Sequence, residues 1–65
     1  MDVRYFEDTD TLLVDFSDRK IVETRDAGED LLIELDSDGK IVSLTVEHAG
    51  EHIDVLKLSY EWIPV

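Results

Sequence analysis

The chain has 65 residues, no Cys and a formal net charge of −11, from 17 Asp and Glu against 6 Lys and Arg. This length allows one small domain, residues 1–65, because chains near 60 residues bury only about 60% of their unfolded surface. The lack of Cys excludes disulfides and thiolate-bound metals. The 43% apolar residues suffice for a core, which excludes a plain disordered acidic tail.

Short apolar runs separated by polar turns predict consecutive antiparallel strands in the first 46 residues. In chain order these strands contain Val3 and Tyr5, Leu12 to Phe16, Ile21 to Ala27, Leu31 to Leu35, and Val42 to Val46. The third run is weakly patterned and carries exposed charges, which favours an edge position. Asp38-Gly39 predicts a tight hairpin, because glycine supplies the positive φ that such a turn requires.

The pattern changes after Glu47. Residues 49–55 predict two helical turns, with Ile53 and Leu56 facing the sheet. From Leu56 onward a helical period competes with a strand period, and aromatic and β-branched residues favour the strand. We therefore expect a short helix and then a strand or an extended tail that ends at Pro64.

These elements predict an α+β fold, an antiparallel β-meander of four or five strands with a short C-terminal helix and a possible final strand. Alternation along the strands assigns one apolar face to the core. The predicted core residues are Val3, Tyr5, Leu12, Val14, Phe16, Leu31, Ile33, Leu35, Val42, Leu44, Val46 and Ile53.

A set of spaced residues over about residues 3–53 resembles a family of short prokaryotic proteins catalogued as domain of unknown function 2283. The similar residues are Tyr5, Asp10-x-Leu12-x-Val14-x-Phe16-Ser17, Thr24, Leu32-Ile33-Glu34-Leu35-Asp36-Ser37-Asp38-Gly39-Lys40-Ile41-Val42 and Val46-Glu47-His48-Ala49. This chain departs from the family pattern at Gly50, where the family usually has Ser. The resemblance implies a β-meander with a C-terminal helix and no established activity. It also suggests an antitoxin-like role, since some members are thought to be encoded beside toxin-like genes.

His48-Ala49-Gly50-Glu51-His52 matches the H-x-x-E-H pattern of inverted zinc peptidases. Two His on one helix can hold one zinc ion, with the Glu as general base. Gly50 weakens the required helix, no third ligand stands at a telling spacing, and the chain is too short to wall a substrate cleft. The favoured interpretation is that His48, Glu51 and His52 are solvent-exposed residues at a helix start. We therefore predict no catalytic residue and no cofactor.

Two further patterns have structural explanations. Glu34-x-Asp36-x-Asp38-Gly39 resembles part of a calcium loop, but the bidentate Glu at the twelfth position is missing, and a hairpin turn explains these residues better. Tyr60 and Trp62 either close the core or anchor a partner, and core closure is favoured because so small a domain needs every large side chain.

The predicted function is a non-enzymatic protein-interaction module with Tyr60 and Trp62 as its partner-binding residues, and a basic protein bound in the manner of an antitoxin is one partner that fits this prediction. The charge of −11 disfavours nucleic acid and anionic membranes as partners. The alternatives are a metal-dependent hydrolase using His48, Glu51 and His52, or a salt-adapted structural homo-oligomer. Leu13 and Leu32, on the face opposite the core, give a reason to dimerise.

The location and the salt environment follow from the same composition. No basic region followed by an apolar run stands near Met1, and the longest apolar runs are three residues, so we expect a cytoplasmic protein. The 10 Asp and 3 Lys also fit a cytoplasm rich in salt, because salt screens the repulsion among carboxylates.

Overall fold

The structure, a computed structural model, describes all residues 1–65. Five antiparallel strands form one sheet: β1 (Asp2–Phe6), β2 (Thr11–Asp15), β3 (Glu23–Gly28), β4 (Leu31–Leu35) and β5 (Ile41–Val46). A single helical turn, α1 (Ala49–His52), and a 3₁₀ turn (Val55–Lys57) follow. The predicted fold class, an antiparallel sheet with a short C-terminal helix, is confirmed.

The strand order in the sheet is β1-β2-β5-β4-β3. Strands β3 to β5 form a meander, and the β1–β2 hairpin joins it by pairing β2 with β5. The β2–β3 connection therefore passes the ends of two strands. It is held there because the Phe16 N–H donates to the Val42 carbonyl (2.8 Å) and the Val22 N–H donates to the Leu35 carbonyl (2.9 Å). The order places β3 at an edge, as its charges predict.

The strand register puts the alternating apolar residues on one side of the sheet, which we call the apolar face. One row of this face is Tyr5, Leu12, Val46 and Leu31, and the next row is Val3, Val14, Leu44 and Ile33. The other side, the polar face, has a row of Arg4, Leu13, Thr45, Leu32 and Asp26 and a row of Asp15, Ser43 and Glu34. This register confirms eight of the twelve predicted core residues as members of one apolar face.

The buried core is much smaller than this face. Of the predicted core residues only Leu12, Leu35 and Val42 are buried, and Ala49 is the fourth buried apolar residue. Val14, Leu31, Ile33, Leu44 and Val46 are half-buried, whereas Val3, Tyr5, Phe16 and Ile53 are exposed. The prediction that these last four are core residues is wrong, because the chain supplies no complete second layer over the sheet.

The C-terminal segment is less regular than predicted. The helix ends at His52 rather than Val55, because Ile53 is extended at φ −139° and ψ 162°. The Asp54 side chain then caps the 3₁₀ turn by accepting from the Leu56 N–H at 3.2 Å. The final strand does not form, since residues 58–65 have no regular structure.

The tail touches the apolar face only in part. Leu58, Ser59 and Tyr60 line a groove together with Met1, Val3 and Val14, and Trp62 stays 79% exposed. The favoured prediction that Trp62 closes the core is therefore wrong. No helix in the structure has the length and apolar character that a membrane crossing requires.

Candidate functional site

The helical turn α1 is held between two aspartates that occupy the two hairpin turns at one end of the sheet. Asp10 ends the β1–β2 turn, and its carbonyl accepts from the Ala49 N–H at 2.9 Å. Asp30 ends the β3–β4 turn, and its carbonyl accepts from the Glu47 N–H at 2.8 Å. Since β2 and β4 flank β5 on either side, the segment that leaves β5 is pinned from both sides.

The Asp10 side chain completes the first of these attachments. Its Oδ1 accepts from the Tyr5 hydroxyl at 2.6 Å and from the Gly50 N–H at 2.9 Å. The hydrogen bond from Tyr5 is the main cause that lowers the pKa of Asp10, and the Gly50 N–H adds to it. The same bond raises the pKa of Tyr5. Asp10 itself has φ 55°, a left-handed conformation in which Asp is enriched.

The Asp30 side chain forms the second attachment and gathers both histidines. His48 Nδ1 lies 3.0 Å from Asp30 Oδ1, and His52 Nε2 lies 2.8 Å from Asp30 Oδ2. The carboxylate is only 19% exposed, whereas both imidazoles are at least half exposed. His48 precedes α1 with φ 51°, and this left-handed turn brings its ring back toward the β3–β4 turn.

The charges of this cluster reinforce one another. Hydrogen bonds from His52 and then His48 lower the pKa of Asp30. The hydrogen bond to Asp30, followed by its negative charge, raises the pKa of His48, and Glu51 adds a smaller effect in the same direction. The arrangement favours an anionic carboxylate facing imidazole nitrogens, which is a set of groups that can hold a proton or a cation.

The structure brings two of the three predicted metal residues, His48 and Glu51, into one cluster with Asp30, whereas His52 only contacts Asp30 from outside this cluster. One ligand atom each from Asp30, His48 and Glu51 lies within 4.8 Å of the other two, and His52 contacts the opposite oxygen of Asp30. The predicted pair of histidines on one helix is not what forms, because His48 lies outside the single turn of α1.

Sequence reasoning missed Asp30 as the third group, although a signal for it existed. A tight Asp38-Gly39 loop predicts that Leu31 pairs with Val46, and the structure contains this pair, although the register shifts between Glu34 and Leu35. Continuing that register by one step places Asp30 beside Glu47, next to the His48 motif. The sequence therefore contained the spacing once the hairpin was paired.

The remaining predicted residues take other roles. Glu34 lies on the polar face, where its Oε1 accepts from the Ser43 hydroxyl (3.0 Å) and the Thr45 hydroxyl (3.4 Å). Asp36 Oδ1 accepts from the Asp38 and Lys40 N–H groups in the β4–β5 turn, so the hairpin explanation is confirmed for Asp36 and Asp38. Tyr60 is 71% exposed, and neither it nor Trp62 joins the hydrogen bonds around Asp30.

Comparison with known proteins finds a matching family, but this family has no assigned activity. A family described as "Protein of unknown function (DUF2283)" matches residues 2–49, which include all five strands and the start of α1. The comparisons with curated proteins and with solved structures returned no match.

Proposed function

We propose that this chain, which belongs to the DUF2283 family, is a non-enzymatic protein-interaction module whose contact surface is its C-terminal tail. The observation that carries the proposal is the exposure of the tail's large apolar side chains. Leu56, Tyr60 and Trp62 are 92%, 71% and 79% exposed, and Ile63 is exposed beside them. The whole chain buries only four apolar residues.

The physical argument is that this surface is costly in water. Burying apolar area contributes roughly 25 cal/mol per Å², and Tyr and Trp are the side chains that most often dominate binding energy. In a domain this small, side chains of that size are needed in the core unless a partner covers them. Beyond the 3₁₀ turn, the alternation of Leu58, Tyr60 and Trp62 suits an extended segment that presents one apolar edge to a groove.

The charge of the chain indicates the chemistry of the partner. Arg and Lys pair with four of the 17 carboxylates, and the histidines pair with Asp30. Twelve carboxylates remain without an ion pair. A partner with an apolar groove and a basic rim complements both features, since opposite potentials speed association and select the partner. An antitoxin-like role in the cytoplasm, with no nucleic acid or membrane as partner, belongs to this proposal.

The test is recovery of one basic partner from the native host at native salt, followed by reconstitution from the two purified proteins. Trp62→Ser should weaken the reconstituted complex at least tenfold, because it removes an aromatic anchor. Phe6→Ser is the matched control, since Phe6 is 45% exposed but lies on the polar face, and it should change the affinity less than twofold. Equal loss with both variants, or an isolated chain that recovers no stoichiometric partner, would refute the proposal.

A homodimer is the second candidate, and a row of the polar face favours it. Leu13, Thr45 and Leu32 are adjacent and half-buried, and the row ends in Arg4 at one side and Asp26 at the other. A two-fold axis along β5 would set Arg4 of one copy against Asp26 of the other. Light scattering at several salt concentrations tests this candidate, and a monomer under all conditions would exclude it.

A further inference from the structure

We propose that Asp30, His48 and Glu51 form a binding site for a divalent transition cation of the Zn²⁺ class. The three side chains come from two separate parts of the chain, the β3–β4 turn and the segment around α1. Their ligand atoms already lie within 4.8 Å of one another. The set combines one imidazole nitrogen with two carboxylate oxygens, a mixture that Zn²⁺ accepts.

The spacing requires little movement to admit an ion. Zinc binds nitrogen and oxygen at about 2.0–2.2 Å, so neighbouring tetrahedral ligands are about 3.3–3.6 Å apart. His48 Nδ1 and Asp30 Oδ1 are now 3.0 Å apart and share one hydrogen. An ion takes the place of that hydrogen while the two side chains separate by a few tenths of an ångström and Glu51 closes in from the third side.

The backbone around the site is already fixed. The hydrogen bond from the Glu47 N–H to the Asp30 carbonyl ties the two ligand-bearing segments together, one residue before His48. The Ala49 N–H bond to Asp10 holds the residue after it. A site built on such constraints loses less entropy on binding than one formed by free loops.

His52 supplies the outer contact that oriented ligands usually have. Its Nε2 lies 2.8 Å from Asp30 Oδ2, the oxygen that His48 does not contact. Outer partners of this kind orient a ligating carboxylate, and their loss typically costs about 10–100-fold in metal affinity. The net charge of −11 further raises the local concentration of cations.

The proposed site binds an ion and clamps α1 to the β3–β4 turn. Three protein ligands leave one position for water, as in catalytic zinc sites. A catalytic site also needs a cleft that encloses the substrate, whereas the ring of His48 is 62% exposed and the cluster lies on an open surface. We therefore assign the ion a structural role. The site is also separate from the proposed interaction surface, because none of its ligands belongs to the tail.

The test is a calorimetric titration of the full chain with Zn²⁺ at 0.15 M KCl, together with Co²⁺ absorption and the imidazole ring resonances in NMR spectra. We expect one ion per chain with a dissociation constant below millimolar and a shift of the His48 ring signals. Glu51→Gln and His48→Ala should each weaken binding at least tenfold. Glu47→Gln, which removes a neighbouring exposed carboxylate outside the cluster, should change affinity less than twofold.

Two controls make the result decisive. Glu51→Gln alters an exposed side chain of nearly equal size, so it keeps the fold even if His48→Ala does not, and circular dichroism verifies this. At the same concentration, Zn²⁺ should also raise the Tm of the native chain and of Trp62→Ser, and it should raise that of Glu51→Gln by much less. Equal affinity in all variants, meaning diffuse binding to an acidic surface, or no saturable binding up to millimolar Zn²⁺ would overturn the proposal.

Discussion

Asp10 and Asp30 attach the segment around α1 to the sheet in the same way, from opposite sides of β5. Each ends a hairpin turn, each accepts a backbone N–H through its carbonyl, and each uses its carboxylate to hold residues around α1. A helix of a single turn has no stability of its own, since even isolated helices shorter than about 12 residues are marginal. The two aspartates therefore explain why α1 exists at all in this chain.

The first prediction concerns the Asp10 attachment. Asp10→Ala should lower the Tm and expose the Gly50 amide to hydrogen exchange because it removes the acceptor of that N–H, and it should expose the Ala49 amide because strain in the left-handed turn displaces the Asp10 carbonyl that accepts from it. Asp10→Asn keeps an acceptor oxygen and a residue tolerant of positive φ, so it should lose less protection. Unchanged exchange of the two amides in Asp10→Ala would contradict this account of α1.

The second prediction concerns the β4–β5 turn. Gly39 has φ 77°, and a Cβ there would meet nothing within 4 Å, so the cost of a side chain is backbone strain alone. Gly39→Val should reduce the free energy of unfolding by about 1–3 kcal/mol. Gly28 also has open space around it but no positive φ. Gly28→Val in β3 is therefore the matched control and should be neutral or stabilising in chemical denaturation. Equal denaturation midpoints for the two variants would show that Gly39 is not under this constraint.

The sequence predicted what depends on local rules. Alternation assigned Leu12, Val14, Leu44 and Val46 to one face, and the Asp-Gly pair located the hairpin, because strand period and turn chemistry act between near neighbours. These local rules could not predict how much of the apolar face the C-terminal segment covers. Ile53 fits a helical pattern, yet it is extended, because nothing beyond the Asp10 and Asp30 attachments holds a second helical turn in place.

The candidate site also has one part that local sequence shows and one part that only the fold brings to it. The motif from His48 to His52 is visible in the sequence, but its third group lies 18 residues earlier, at Asp30. Only the pairing of β4 with β5 brings the two together. Contacts across a sheet depend on register, and register becomes visible in a sequence only when two strands are paired through the turn that joins them.

The third prediction is a pH dependence that comes from Asp36. The Asp36 side chain is 6% exposed and accepts from the Lys40 and Asp38 N–H groups, each at 2.9 Å, while Arg19 lies 2.7 Å from its other oxygen. The Lys40 N–H is the main cause that lowers the pKa of Asp36. A lowered pKa stabilises the fold above the unfolded value, near pH 4, and this stabilisation disappears as the pH falls through the folded value.

The comparison of Asp36→Asn with the native chain isolates this effect. The variant should have a lower Tm at pH 7, and the difference between the two proteins should shrink as the pH falls from about 5 to about 2. Measuring the difference removes the effect of the other carboxylates, whose protonation relieves repulsion in both proteins alike. A difference in Tm that stays constant over this range would show that Asp36 contributes through its shape and not through its charge.

The last prediction tests the acidic surface as a whole. Twelve carboxylates have no ion pair, and exposed pairs contribute only about 0–1 kcal/mol each, so pairing does not offset their repulsion. The Debye length falls from about 10 Å at 0.1 M salt to about 3 Å at 1 M. The Tm of the isolated chain should therefore rise between dilute buffer and molar KCl, whereas the same salt should weaken a complex with a basic partner.

A double variant, Glu7→Gln with Asp8→Asn in the exposed β1–β2 turn, removes two charges and should raise the Tm in dilute buffer but not in molar KCl. If the Tm of the native chain is independent of salt, repulsion does not limit its stability. Adaptation to a salt-rich cytoplasm would then fail as an explanation, and a basic partner would be the one that accounts for the carboxylates.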